Sequence, residues 1–138
     1  MNIMLDTNVV LDDILNRMPN AISAKSLIDM IAEDKISGYI SANSITDIYY
    51  IAGKHLGNFI AKEIIRDLLI NFHIVSVGGQ DCLDALDLPM ADFEDALVVV
   101  CAKNARLDYI VTNDKGVLGN DLPVPPISPS DFLTTIPL

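Results

Sequence analysis

Residues 3–12 read IMLDTNVVLD, a short apolar run that ends in a carboxylate and passes directly into a helix-like pattern. Residues 3–5 are apolar without alternation, which is typical of a strand buried on both faces of a parallel sheet. Asp6, Thr7 or Asn8 is predicted to cap the helix that follows, because short polar side chains favour that position. A buried strand that delivers an acid to its carboxyl end is a common start of an α/β ligand crevice.

Strand-like and helix-like segments alternate along the rest of the chain. Further strands are predicted at residues 38–41, 73–77, 109–112 and, as a short proline-rich edge, about 124–127. Three consecutive valines at 98–100 favour a strand by propensity, but the acids before them and the length of the segment predict a buried helix over about 92–105. The pattern predicts a parallel sheet of four to five strands with helices on both faces. Residues 1–138 are expected to form one domain.

The predicted third helix carries an acid near its start. Asn43 or Ser44 is expected to be its N-cap, which puts Asp47 in the first turn. Asp47 follows Ser44 by three residues, so a capping box is one explanation for it, although Glu or Gln is usual at that position.

The chain has 19 acidic and 9 basic residues, a formal net charge of -10. That balance argues against a general nucleic-acid coat, which needs a broad basic face. It permits a nucleic-acid enzyme whose acids hold metal ions, or a basic protein partner. The longest purely apolar run, residues 96–102, is too short to span a bilayer, and no secretory signal is read. A cytoplasmic protein without membrane association is therefore expected.

Acids from separate segments fall at equivalent places in the predicted fold: Asp6, Asp47, Asp92, Asp95 and Asp114. Strand ends and the helix starts that follow them share one edge of a sheet built from right-handed βαβ units. Taken singly, each acid has an ordinary role in a cap, a helix first turn or a loop turn. Together they predict a crevice whose like charges repel. An oxygen ligand set without His or Cys suits Mg²⁺ or Mn²⁺.

Three stretches, LDTNV at 5–9, DFEDAL at 92–97 and IVTND at 110–114, resemble the acidic motifs of the PIN domain (PilT N-terminus) family, in the same order. The resemblance implies a three-layer α/β/α sandwich around a central, mostly parallel sheet. It also implies an Mg²⁺- or Mn²⁺-dependent ribonuclease. Many small bacterial and archaeal members are VapC-type toxins of type II toxin–antitoxin modules and are commonly dimeric.

By this resemblance, Asp6, Asp95 and Asp114 match metal-binding acids, and Asn8 and Thr112 match polar positions that support the site. The family usually has a Glu early in the helix after the second strand. The stretch SITDIYY at 44–50 aligns with that region and offers Asp47, whose carboxylate reaches one methylene less far. Asp92, on the same face as Asp95, is assigned a supporting or water-mediated role.

The resulting hypothesis is an endoribonuclease in which water is the nucleophile and Asp47 assists the three metal-binding acids. Lys54, Lys62 and Arg66 are candidate contacts to the phosphates of the RNA substrate. A toxin role, with an antitoxin protein as partner and a homodimer as the assembly, follows from the resemblance alone.

Two readings from other classes remain open. The chain could be a noncatalytic PIN-like interaction module whose Asp47 marks a weakened metal site. It could also be an aspartyl phosphotransferase or phosphatase that uses Asp6 as a nucleophile. That chemistry normally needs a second Asp two residues later, where this chain has Asn8.

Overall fold

The computed structural model describes residues 1–136 and contains one five-stranded sheet. The strands are β1 (Asn2–Leu5), β2 (Ser37–Ser41), β3 (His73–Val75), β4 (Tyr109–Val111) and β5 (Pro126–Ile127). The helices are α1 (Thr7–Ile14), α2 (Asn20–Ala32), α3 (Ala42–Leu56), α4 (Asn58–Asn71), α5 (Gly79–Leu86), α6 (Phe93–Asn104), α7 (Lys115–Leu118) and α8 (Pro129–Thr135). None of the helices in residues 1–136 combines the length and the apolar character needed to cross a bilayer.

The strand order is β3-β2-β1-β4-β5, and each neighbouring pair is parallel. The chain therefore builds the sheet outward from β1 on one side, then returns to place β4 on the other side of β1. This reversal is a topological switch point, where the crevice of an open α/β sheet forms at the carboxyl ends of the strands. The predicted α/β/α class with a parallel sheet is confirmed.

Side-chain alternation along β1 explains the layers. Ile3 and Leu5 belong to one buried cluster, which includes residues of α1, α2, α3, α4 and α8. Met4 points to the opposite face and belongs to a second cluster, dominated by α6. Successive strand residues face opposite sides of a sheet, so a strand covered on both faces is apolar throughout.

The helix predicted across the valine run is confirmed as α6, with residues 96–102 all buried. The prediction for the start of the third helix was wrong. Helix α3 begins at Ala42, so Ser41 rather than Asn43 or Ser44 occupies the N-cap position, and its side chain makes no capping bond. Asp47 consequently lies in the second turn and is not part of a capping box. Helix α7 was not predicted, because only four residues form it.

Gly38 of β2 lies where the sheet packs closely against α2 and the end of α4. A Cβ atom there would lie 2.7 Å from Ile31 Cδ1 and 2.8 Å from ring atoms of Phe72. Both neighbours are buried, and the Phe72 ring is rigid, so we expect Gly38→Ala to lower the free energy of unfolding by about 1–3 kcal/mol. Denaturant unfolding measures this, with Gly79→Ala as the control because its Cβ would meet nothing within 4 Å. Equal stability of the two variants would contradict the packing argument.

Candidate active site

A cleft of about 340 Å³ opens beside the carboxyl ends of β1 and β4. Side-chain oxygens dominate its wall, and the residues that contribute them are Asp6, Thr7, Asn8, Asn43, Ser44, Asp47, Asp92, Glu94, Asp95 and Asp114. Within residues 1–136, no lysine, arginine or histidine lines this cleft. The structure thus brings all five sequence-predicted acids and Asn8 to one place, and adds a sixth carboxylate.

Asp6 is held by two hydrogen bonds. Its Oδ1 atom accepts from the backbone N–H of Thr7 at 2.8 Å, so Asp6 is the N-cap of α1. Its Oδ2 atom accepts from the hydroxyl of Thr112, also at 2.8 Å. Burial raises the pKa of Asp6, while these two bonds oppose the rise and the charges of Asp114 and Asp92 add to it. The carboxylate is therefore fixed in orientation but poorly compensated in charge.

Thr112, which is fully buried, connects the ends of β1 and β4. Its hydroxyl oxygen accepts a hydrogen bond from the backbone N–H of Asp114 at 3.0 Å, and the same hydroxyl group donates a hydrogen bond to Asp6. Asp114 in turn caps α7, because its Oδ1 atom accepts from the N–H of Gly116 at 2.8 Å. One threonine therefore sets the position of two acids that are far apart in sequence.

The start of α6 supplies two more acids. Asp92 is the N-cap and accepts from the N–H of Asp95 at 3.0 Å, so it precedes the helix rather than sharing its face. Asp95 lies in the first turn. Burial raises the pKa of Asp95 to about 7, with further contributions from the nearby charges of Asp6, Asp92 and Asp114. These carboxylates are close enough to repel one another strongly.

Glu94 lies within the DFEDAL motif and lines the cleft, but it is not among the acids predicted for the site. Its side chain lines the same cleft as Asp47, so that α6 and α3 bring two carboxylates to one wall. Burial raises the pKa of Glu94, and the neighbouring charge of Asp47 adds to the rise. The sequence did contain a signal for Glu94, because it stands beside Asp95 in the acidic first turn of α6. Two consecutive residues at the start of a helix can both face a cleft.

The candidate RNA contacts lie away from the cleft lining. The Lys54 ammonium lies over the ring of Tyr50, 5.4 Å from its centroid. Arg66 forms an ion pair with Glu63, with Nη1 and Oε1 2.8 Å apart. Lys62 is exposed on α4. These three cations thus lie on the helical pair α3–α4 rather than among the acids.

The donor set of the cleft fits a hard divalent cation. All of the side-chain ligands are oxygen atoms, as Mg²⁺ and Mn²⁺ prefer. The Oδ1 atom of Asn43, on the same wall, is buried and has no hydrogen-bond donor among the described residues. In residues 1–136, however, no three or more Asp, Glu, His or Cys side chains form a ready-made group that could hold a metal ion. The acids of the described chain thus share one cleft without forming such a group.

Comparison with known proteins gives both sequence and structural relatives. Ribonuclease VapC1 of Aquifex aeolicus (strain VF5) is 26% identical over 127 residues, which cover 88% of each chain. A chain in the crystal structure of VapBC2 from Rickettsia felis, bound to a DNA fragment from their promoter, superposes with a TM-score of 0.71 at 15% identity. That match covers 93% of this chain and 98% of the other.

VapC20 of Mycobacterium tuberculosis, described as a sarcin-ricin loop cleaving toxin, gives a TM-score of 0.67 at 12% identity, with 88% and 98% of the two chains covered. These structural likenesses show a shared fold. The family model of the PIN domain matches residues 2–116, a span that includes all three acidic motifs and both strands that frame the cleft. The chain belongs to the PIN domain family.

Proposed function

We propose that this chain, as a single domain over residues 1–138, is a divalent-metal-dependent endoribonuclease. The observation that carries the proposal is the cleft at the switch point, which six carboxylates line and in which none of the lining residues in the described chain is cationic. The name of the VapC1 relative supports a ribonuclease. An acidic cleft alone would repel RNA phosphates, so the proposed chemistry requires a cation.

Asp6, Asp95 and Asp114 would hold Mg²⁺ or Mn²⁺, which when bound would offset the charge of a phosphodiester and favour attack by water. Thr7 and Thr112 keep the Asp6 carboxylate in one orientation. Until a cation enters, the Asp95 carboxyl retains a proton up to about neutral pH because burial and neighbouring acids disfavour its charge. Ion binding should therefore release protons and weaken as the pH falls below 7.

Asn8, Asp47, Asp92 and Glu94 would line the path of the substrate around these three acids. Asp47 and Glu94 would position water beside the bound cation. Lys54, Lys62 and Arg66 would contact phosphates farther along an RNA chain, beyond the cleft wall. Arg66 is the weakest of the three because Glu63 already neutralises it.

The proposal extends to a toxin of a type II toxin–antitoxin module that acts in the cytoplasm, with an antitoxin protein as partner and a homodimer as the assembly. Support comes from the solved VapBC structures with the same fold. A small antitoxin gene beside this one and growth arrest on overexpression are expected. The absence of both would contradict the toxin role. A monomeric mass, measured by light scattering at micromolar concentration, would contradict the dimer.

A noncatalytic interaction module is the second candidate, favoured by the lack of a ready-made ligand group among the described residues. Saturable binding of Mn²⁺ in calorimetry would argue for the enzyme, and its absence would favour the module. A phosphotransferase that uses Asp6 as nucleophile is disfavoured, because that chemistry normally needs a second Asp where this chain has Asn8.

The endoribonuclease proposal predicts that the protein cleaves a circular RNA and a structured linear RNA when Mn²⁺ is present, and cleaves neither in excess chelator. A circular substrate has no ends, so its cleavage requires internal attack. Gel electrophoresis of the products measures the result, and an Asp114→Asn variant prepared in parallel controls for contaminating nucleases. Equal cleavage by wild type and Asp114→Asn, or no cleavage by either, would contradict the proposal.

A further inference from the structure

A second cavity, of about 460 Å³, adjoins the acidic cleft. The cleft and the second cavity share three lining acids, Asp92, Asp95 and Asp114. From these acids the cleft continues toward α1 and α3, whereas the second cavity continues toward the loop before α6 and toward α7. A substrate phosphate held at the shared acids would therefore have a neighbouring space into which the next part of the same molecule could extend.

The remaining wall of the second cavity is uncharged. Pro89, Met90 and Ala91 contribute to it from the loop before α6, and Gly116 and Asn120 contribute from α7 and the turn after it. Among residues 1–136, no lysine, arginine or histidine lines this space. A phosphate group there would be repelled by the shared carboxylates without a cationic side chain to offset them. The occupant that fits is a neutral group with an apolar face.

Met90 gives this wall a fixed apolar surface. The residue is partly buried and packs against two of the buried clusters, both of which contain side chains of α6. Its backbone N–H donates to the carbonyl of Leu88 at 2.8 Å, which holds the loop in a tight turn. Thioethers are polarisable and make favourable contacts with aromatic rings. A flat heteroaromatic ring can therefore pack against this side of the cavity.

Asn120 adds a hydrogen-bond acceptor to the same wall. Its Nδ2 atom donates to the carbonyl of Gly116, four residues earlier, so that Oδ1 is the atom of the amide that can accept. The three shared acids are acceptors as well when they are ionised. Adenine, cytosine and guanine carry an exocyclic amino group that can donate to such a wall, whereas uracil has carbonyl oxygens on both sides of a single N–H. The polar atoms of the cavity thus favour an amino-bearing base over uracil.

Gly116 keeps the Asp114 carboxylate accessible from the second cavity. A Cβ atom at this position would lie 3.1 Å from Asp114 Oδ1. The backbone of Gly116 is not in the positive-φ region, so its conformation alone does not require glycine. The missing side chain matters because it leaves space beside the acid, where the cleft and the second cavity adjoin.

We infer that the second cavity binds a nucleobase of the RNA substrate, next to the phosphodiester that is cleaved, and that it prefers a base with an exocyclic amino group. Met90 packs against the face of the base, and Asn120 Oδ1 accepts a hydrogen bond from the amino group. Both are specificity-determining residues. The position of the base beside a scissile phosphate rests on the proposed function, whereas the binding of the base to this cavity does not.

Nucleotide titration tests base binding without any need for catalysis. The probes are adenosine 5′-monophosphate and uridine 5′-monophosphate with Mg²⁺, neither of which contains a phosphodiester, and methyl-labelled methionine is observed by NMR. The Met90 signal, assigned with Met90→Leu, should shift saturably with the adenosine nucleotide. The uridine nucleotide should bind about 3–10-fold more weakly, as expected for one lost hydrogen bond. Met18, exposed between α1 and α2, should not shift with either.

A substitution of Asn120 tests the preference for the amino group. Asn120→Ala should raise the Kd of the adenosine nucleotide by about 3–10-fold and leave that of the uridine nucleotide little changed. Asn71→Ala is the matched control, because Asn71 Nδ2 likewise donates to the carbonyl four residues earlier, that of Asp67, at 3.1 Å. Asn71 lines neither the cleft nor the second cavity, so this variant should bind both nucleotides as wild type does.

Cleavage of an RNA pool of randomised sequence, followed by sequencing of the new ends, measures the preference during catalysis. Wild type should show uridine depleted at one of the two positions that flank the cut, and Asn120→Ala should lose this depletion. Met90→Ala should raise KM more than it lowers kcat, because it removes a surface that binds the substrate, and Met90→Leu should retain most of kcat/KM.

Equal shifts of the Met90 signal with the two nucleotides, or a shift with neither, would overturn the inference. Equal losses in Asn120→Ala and Asn71→Ala would do so as well, and so would undepleted uridine on both sides of the cut. If Met90→Ala does not fold, Asn120→Ala decides. If wild type cleaves no RNA, the proposed function fails, and the nucleotide titration decides by itself whether the cavity binds a base.

Discussion

An Asp95→Asn variant should lose RNA cleavage by roughly 10²–10³-fold and, without metal at pH 8, should melt at a higher temperature than wild type. Both effects have one cause. Burial and the charges of neighbouring acids raise the pKa of Asp95 from 3.8 to about 7. The carboxylate is therefore costly in the folded protein when no cation is bound, and the neutral amide removes that cost together with the negative charge that a cation would need.

The pH dependence of stability follows from the same pKa. The folded protein binds the Asp95 proton more tightly than the unfolded chain, so metal-free wild type should lose stability as the pH rises from about 4 to about 7. Asp95→Asn should lack this loss. At pH 8 its Tm should be higher by about 3–6 °C, a value reduced to allow for the partial solvent exposure of the side chain. At pH 4 the two proteins should melt alike.

Calorimetry or thermal denaturation in excess chelator, at pH 4, 6 and 8, measures these differences. Asp121→Asn serves as the matched control, because Asp121 is exposed in a loop and does not line the cleft. A lower Tm for Asp95→Asn at pH 8 would contradict the destabilising effect of the Asp95 carboxylate. Cleavage close to that of wild type would contradict the role of Asp95 in the site.

Asp6→Asn should lower cleavage by a factor similar to that of Asp95→Asn and should leave the fold nearly intact. Asn is as good an N-cap as Asp, so the bond from the Thr7 N–H to the side chain can be kept. The amide carries no charge, however, and cannot serve as an anionic ligand. Asp6→Ala should be equally inactive but less stable by about 1 kcal/mol, because it also loses the cap of α1.

The pair of variants distinguishes chemistry from capping at one position. Cleavage assays with Mn²⁺ and urea unfolding of both proteins provide the measurements. Substantial activity in Asp6→Asn would show that cleavage does not require the negative charge of Asp6. Equal stability of the Asn and Ala variants would show that the Thr7 bond contributes nothing to the fold.

The sequence was sufficient to predict the fold class because its strongest signals agree with the tertiary structure. Residues 3–5 are apolar throughout, as expected for a strand between two helical layers, and the structure has that arrangement. The valine run at 98–100 is a helix because the sheet and α5 bury it from several sides, which overrides strand propensity. Helix α7 escaped prediction because a single turn capped by Asp114 has no periodicity to detect.

The site was only partly predictable. Motif order indicated which strand ends meet, and the acids do line one cleft. The helix start at Ala42 was missed because Asn43 and Ser44 are good capping residues, and they pointed to an N-cap two or three residues after Ser41. The approach of Glu94 to Asp47 depends on how α6 and α3 pack, which local pattern does not encode.

The bond between Thr112 and Asp6 spans 106 positions of the chain. During synthesis, Asp6 therefore leaves the ribosome 106 residues before Thr112. Until then β1 has no neighbour at the place of β4, and the cleft lacks Asp114. A polypeptide released before residue 109 would carry most of the acids but would lack both Asp114 and the hydroxyl group that orients the Asp6 carboxylate. The geometry of the sheet therefore delays completion of the acidic cleft until β4 and the loop after it have been synthesised.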